Sequence, residues 1–93
     1  MTSKEFKEKY FTNSFYWVNE SNYERLQHIG IKYGCVNPNG DCSIIEWHNG
    51  FNCLGFRTYE KNNFVTRFQK EPFLTHNEEA VDYEEMIRDY ESL

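Results

Sequence analysis

Three short-range signals fix where helices begin in this chain, and two dense turn clusters between the second and third leave room there for strands. Thr2 with Glu5, Ser21 with Glu24 and Asp82 with Glu85 all have the spacing of a capping box. In that motif an oxygen-bearing side chain and an acid three residues later satisfy the free backbone donors of a helix start. Phe6 and Tyr10 follow the first signal at i and i+4, which predicts a short helix ending near Phe11. Behind the second, Leu26, Ile29, Gly30 and Tyr33 share one face, and Gly34 supplies the stop. Behind the third, Tyr83, Met86, Ile87 and Tyr90 line one face with carboxylates on the other, and Val81 with Met86 has the spacing of a hydrophobic staple.

Between these helices the pattern changes. Phe15 to Val18 is a β-branched and aromatic cluster bounded by Asn13-Ser14 and Asn19-Glu20-Ser21, which predicts a strand. Asn37-Pro38-Asn39-Gly40-Asp41 is a turn, so a second strand is expected from about Cys42 through Ile44, Ile45 and Trp47. Asn49-Gly50 suits a type I′ hairpin turn, which pairs Glu46 with Cys53 and Ile45 with Leu54. For the next turn, around Glu60 to Asn63, the register that best keeps apolar residues together pairs Phe56 with Phe68 and Arg57 with Arg67. One sheet face then carries Ile45, Leu54, Phe56 and Phe68 beneath the second helix. The other carries Ile44, Phe51, Cys53, Tyr59, Val65, Arg57 and Arg67, too apolar to be left to water, so a helix, a second copy of the chain or a ligand must cover it. The expected fold is a single small α+β domain over residues 1–93. It has an antiparallel sheet of about four strands packed with two or three helices, in the order helix, strand, helix, three strands, helix.

Ninety-three residues make one thin core, and at this size roughly 60 to 65 per cent of the unfolded surface is buried, which disfavours a deep active site. Seventeen aromatics compensate for the short core, and some are available to face a partner. No apolar run approaches the roughly eighteen residues of a membrane span. The first residues, Met1-Thr2-Ser3-Lys4-Glu5, carry no apolar leader, so a soluble protein of the cytoplasm is expected. Cys35, Cys42 and Cys53 are then reduced thiols. Their spacing, with His48 added, lacks the close ligand pairs of structural zinc sites, so no metal is expected. Neither a phosphate loop nor a dinucleotide fingerprint is present, and no cofactor is expected. No catalytic set emerges, and the chain is expected not to be an enzyme.

Two surfaces remain as candidates. From residue 77 to residue 93 seven carboxylates face one cation, a net charge of −6, against +1 for the rest of the chain. Within this segment Asp82, Glu85 and Asp89 stack on one side of the last helix at intervals of about 4.5 to 6 Å. Such a line of charge competes for protein grooves that hold nucleic-acid phosphates. With Glu78 beside it and Tyr83 and Tyr90 as anchors, it forms the expected partner-binding surface. The alternative surface is the hairpin face, where Arg57, Arg67, Tyr59 and Phe51 combine cations with rings in the manner of nucleotide-binding sites.

The strand Phe15-Tyr16-Trp17-Val18, the helix from Asn22 to Ile29 closing at Tyr33-Gly34-Cys35, the antiparallel strands through Phe68 and the closing Val81-Asp82-Tyr83-Glu84-Glu85-Met86-Ile87 together resemble small accessory proteins of bacteriophages and prophages of Gram-positive hosts. That resemblance implies an inhibitor of a host enzyme or defence system, such as an anti-CRISPR protein binding a CRISPR nuclease, and transfers no catalytic residue. The alternative expectation is a homo-oligomeric sponge that sequesters a nucleotide immune signal at the hairpin face. Direct nucleic-acid binding is not expected at a net charge of −5.

Overall fold

The computed structural model describes residues 1–37, 39–59, 62–68 and 80–93, with side-chain packing described for 1–37, 39–56 and 80–93. The first helix, α1 (Ser3–Tyr10), begins with a capping box: the Glu5 N–H donates to Thr2 Oγ1 at 3.1 Å and the Thr2 N–H donates to Glu5 Oε1 at 2.9 Å. Phe6 and Tyr10 are its buried residues. Asn13, at φ 53°, turns the chain into β1 (Ser14–Trp17).

The second helix, α2 (Glu20–Lys32), starts earlier than Ser21 would place it. Asn19 is the cap and Asn22 returns the reciprocal bond, with the Asn19 N–H donating to Asn22 Oδ1 at 2.9 Å. Asn caps as well as Ser, and the earlier start brings Glu20 into the first turn, where the helix dipole favours an acid. Tyr23, Leu26, Gln27, Ile29 and Gly30 are buried, and Gly34 follows the helix with φ 95°, the left-handed conformation that glycine takes without strain.

The α+β class holds, but the sheet is mixed and its membership differs from the expected one. Its strands run in the order β1-β3-β4-β2, with β2 at Cys35–Val36, β3 at Cys53–Tyr59 and β4 at Asn62–Phe68. β3 is antiparallel to both β1 and β4, whereas β2 is parallel to β4. The segment from Cys42 to Trp47 is not a strand. Both edges of β3 are already taken, by Ser14–Trp17 on one side and Asn62–Phe68 on the other, so the segment cannot pair with β3 as expected. Gln27 holds it instead: Gln27 Nε2 donates to the Ile45 carbonyl at 3.1 Å, and the Ile45 N–H donates to Gln27 Oε1 at 2.9 Å. This carboxamide, 1 % exposed, gives Ile45 the two bonds that a neighbouring strand would have given.

Two further expectations are corrected. The Asn49-Gly50 turn exists, closed by a Phe51 N–H to His48 carbonyl bond of 2.9 Å. Neither central residue has the positive φ of a type I′ turn, because no hairpin flanks it. The β3–β4 register pairs Phe56 with Val65, Arg57 with Phe64 and Tyr59 with Asn62, not Phe56 with Phe68. β3 ends at Tyr59 and β4 begins at Asn62, and pairing of these two ends sets a register three residues away from the one that apolar matching alone favours.

The core joins all three helices to the face of the sheet that carries Tyr16, Leu54 and Phe56. Phe11 meets Phe56 edge-on at 4.8 Å and Tyr16 meets it at 5.8 Å, both close to perpendicular. Gly30 lets this cluster close, since a Cβ there would lie 2.6 Å from Phe56 Cε1 and 3.3 Å from Phe11 Cδ1. Phe15 and Cys53, which the pleat turns to the other face, are also buried. The last helix, α3 (Tyr83–Glu91), is capped by Asp82, whose carboxylate accepts the Glu84 N–H at 2.9 Å. Met86 and Ile87 enter the core, with Val81, Tyr83 and Tyr90 packed against it. Among the described residues no helix is long and apolar enough to cross a membrane.

Candidate partner-binding surface

The acids of α3 divide into docking groups and outward-facing groups. Glu85 accepts an ion pair from Lys9 of α1 at 3.2 Å, and the same ammonium lies 3.7 Å from Asp89. Tyr10 donates its hydroxyl proton to Asp89. Tyr10 and then Glu85 raise the Lys9 pKa, so the cation persists through any ordinary pH. Asp82 is occupied as the helix cap, while Glu84, in the first turn, and Glu91, at the end of the helix, face solvent. Glu78 lies outside the described residues.

The two tyrosines expected as anchors form the inner wall of α3. Tyr90 packs on Phe6 at 5.8 Å and on Tyr33 at 6.4 Å, and its hydroxyl receives a 3.2 Å bond from Lys32. Tyr83 is half-buried, and its pKa is raised by desolvation against an opposing pull from Arg25 of α2. Both rings therefore dock the helix to α1 and α2. The Lys9 pairs are open to water, with side-chain exposures of 49 % for Lys9, 46 % for Glu85 and 33 % for Asp89. Pairs so exposed contribute little to stability, and an incoming cation can replace them at small cost.

On the hairpin, the observed register sets Arg57 opposite Phe64 and Arg67 opposite Leu54, so the two arginines are no longer cross-strand partners. The side chains of Arg57, Tyr59 and Arg67 lie outside the described residues. Phe51 is 8 % exposed and sits in the main core beside Tyr23 and Trp47, at ring distances of 6.1 and 6.4 Å. Cys35 is buried, which pushes its thiol pKa up to about 12, so it is uncharged at neutral pH. Among the described residues no three His, Cys, Asp or Glu side chains gather in a form that could hold a metal ion.

One concave feature was not anticipated. A groove of about 470 Å³ lies between α2 and the Gln27-held segment, lined by Glu20, Tyr23, Glu24, Ile44, Ile45, Glu46 and Trp47. Tyr23 and Trp47 meet at 5.3 Å with an interplanar angle of 71°, so two steeply inclined rings form part of the lining. The three glutamates are exposed, and Glu24 also lies 3.5 Å from His28 on the next turn. Tyr23 is buried and forms the floor, so the half-buried Trp47 ring is the one that faces an occupant. Carboxylates beside it make a receptor for a cation: the acids supply charge and the ring supplies quadrupole and apolar contact for an alkyl stem. The volume lies within the usual range for small-ligand sites, roughly 300 to 1,000 Å³.

Sequence reading missed this groove because its acids come from two segments and the near-neutral charge of the first 76 residues hides them. The available signal was Gln27, a polar residue on the same helical face as Tyr23 and Gly30. Comparisons of the chain with protein-family models, with curated proteins and with solved structures find no match.

Proposed function

We propose that this chain is a non-enzymatic inhibitor of the phage type that binds a host protein through its acidic surfaces, the host protein being one that handles nucleic acid, such as a CRISPR nuclease. The observation that carries this reading is the groove in which Glu20, Glu24 and Glu46 stand beside the Trp47 ring over a floor of buried Tyr23. Proteins that hold nucleic acid present lysine and arginine side chains toward phosphate, and those are the side chains that such a groove accepts. The outward acids of α3, Glu84 and Glu91, extend the same charge to a second element. The inhibitor occupies the cations that the host protein uses for its nucleic acid, which blocks the host without chemistry. Complementary charge of this kind sets partner choice and association rate.

The test is charge reversal in the groove. Glu24→Lys/Glu46→Lys exchanges two exposed acids that hold neither a cap nor a core contact. The tagged wild-type chain should capture a host protein stoichiometrically from a bacterial lysate and inhibit DNA cleavage by that protein after purification. The double variant should lose both properties while melting within a few degrees of wild type. Retained capture and inhibition by the double variant overturn the groove as the working surface. Loss on Glu84→Lys/Glu91→Lys alone assigns the work to α3.

A further inference from the structure

Two Asn-Gly pairs occur in described, exposed turns, and their glycine nitrogens are in different chemical situations. At Asn39-Gly40 the Gly40 N–H donates to the Asn37 carbonyl at 2.8 Å, and the Asn39 N–H is held by Asn37 Oδ1 at 2.8 Å. At Asn49-Gly50 the Gly50 N–H instead faces His48 Nδ1 at 3.4 Å. A carbonyl oxygen is only an acceptor, whereas an imidazole nitrogen is a base of useful strength near neutral pH. The His48 ring is steadied by Phe51, 5.3 Å away and itself in the core.

We propose that Asn49-Gly50 is a self-modification site, at which His48 acts as general base for deamidation of the Asn49 side chain. His48 carries its proton on Nε2 and takes the Gly50 amide proton on Nδ1. The freed Gly50 nitrogen, with no Cβ beside it to block the approach, forms a bond to Asn49 Cγ. The Cγ–NH2 bond then breaks, and ammonia leaves with the proton returned by the imidazolium. The resulting five-membered succinimide is opened by water at either carbonyl, giving aspartate or isoaspartate. One water enters, one ammonia leaves, and nothing is oxidised or reduced. The product carries one more carboxylate, taking the chain from −5 to −6, at a turn that adjoins the groove residues Glu46 and Trp47. The inference rests on the turn geometry alone and does not depend on what occupies the groove.

Peptide mapping by mass spectrometry after prolonged incubation of the folded protein in warm neutral buffer tests it. Asn49 should convert to the acid several-fold faster than Asn39. His48→Phe keeps an aromatic ring over Phe51 and removes the base, so it should slow Asn49 several-fold and leave Asn39 unchanged. In denaturing urea, where the turn geometry is lost, the lead of Asn49 should shrink. Equal rates at the two sites in the folded protein, an unaltered Asn49 rate in His48→Phe, or a lead that persists undiminished in urea would each overturn the proposal.

Discussion

Gln27 occupies the buried side of α2, where a helix normally carries an apolar residue, and its carboxamide is fully used. Nε2 donates to the Ile45 and Tyr23 carbonyls, and Oε1 accepts from Ile45. Gln27→Leu fills the space but strands the Ile45 donor and acceptor, and should cost about 2 kcal/mol. Gln27→Glu separates packing from hydrogen bonding. Its carboxylate can accept from Ile45 but confronts two carbonyls, whereas the protonated acid can donate to one of them. Its folded pKa is therefore raised above the unfolded value of about 4.3. The stability this group contributes is complete below that value and is lost as pH rises through the folded pKa. Urea titrations should show Gln27→Glu further below wild type at neutral pH than near pH 4, and equal deficits would contradict the assignment. The position could be read as buried from its helical spacing. Its role could not, because the partner backbone lies eighteen residues away and was expected to be in the sheet.

At the scale of elements, helix starts were legible because they are written within a few residues of chain. Thr2 with Glu5 caps α1 as their spacing implies, and Asp82 caps α3 through the Glu84 N–H, while Glu85, expected to complete a capping box with it, pairs with Lys9 instead. Only at α2 did two cap sequences compete, and Asn19 with Asn22 prevailed. Strands were harder to place. The Ile44-Ile45 segment has strand composition, but pairing with β3 depends on a free β3 edge, and β1 occupies the one it was expected to join. The docking of α3 onto α1 was not legible, since it joins groups 76 and 79 residues apart. The Tyr10 hydroxyl at Asp89 is the most specific contact of that seam. Tyr10→Phe keeps the ring in the core and removes one charge-assisted bond, worth about 1 kcal/mol after allowance for the partial exposure of Asp89. Thermal melting should fall by about 4 to 8 °C, and the α3 amides should exchange faster with solvent, whereas Lys9→Ala should change the melting temperature little. A larger loss in Lys9→Ala than in Tyr10→Phe would show that the ion pairs, and not the hydroxyl, hold the helix.

For the whole molecule, the sequence showed the acidic C-terminal stretch but not the second acidic region, because Glu20, Glu24 and Glu46 converge only after folding. Buried acids of another kind govern its stability in base. Desolvation raises the Cys35 thiol from 9.0 to about 12 and lifts the Tyr16 phenol well above its ordinary value. Both folded pKa values exceed the unfolded ones, so these groups support the fold fully below pH 9 and progressively less as pH rises toward 12. Urea midpoints should therefore decline across this window, and Cys35→Ala, though less stable at neutral pH, should decline less steeply. A parallel decline in the two proteins would exclude Cys35 as a cause. The seam between α1 and α3 bears on how the molecule assembles. Phe6 and Tyr10 need Tyr90 and Asp89 to complete their surroundings, and the chain between them forms the whole sheet. Closing a loop of that length is entropically unfavourable until the sheet exists to bring its ends together. The two outer helices share one seam and one core with α2 and the sheet, so folding should be all-or-none, and a partly folded chain should display the aromatic stripe of α1 to any chaperone it meets.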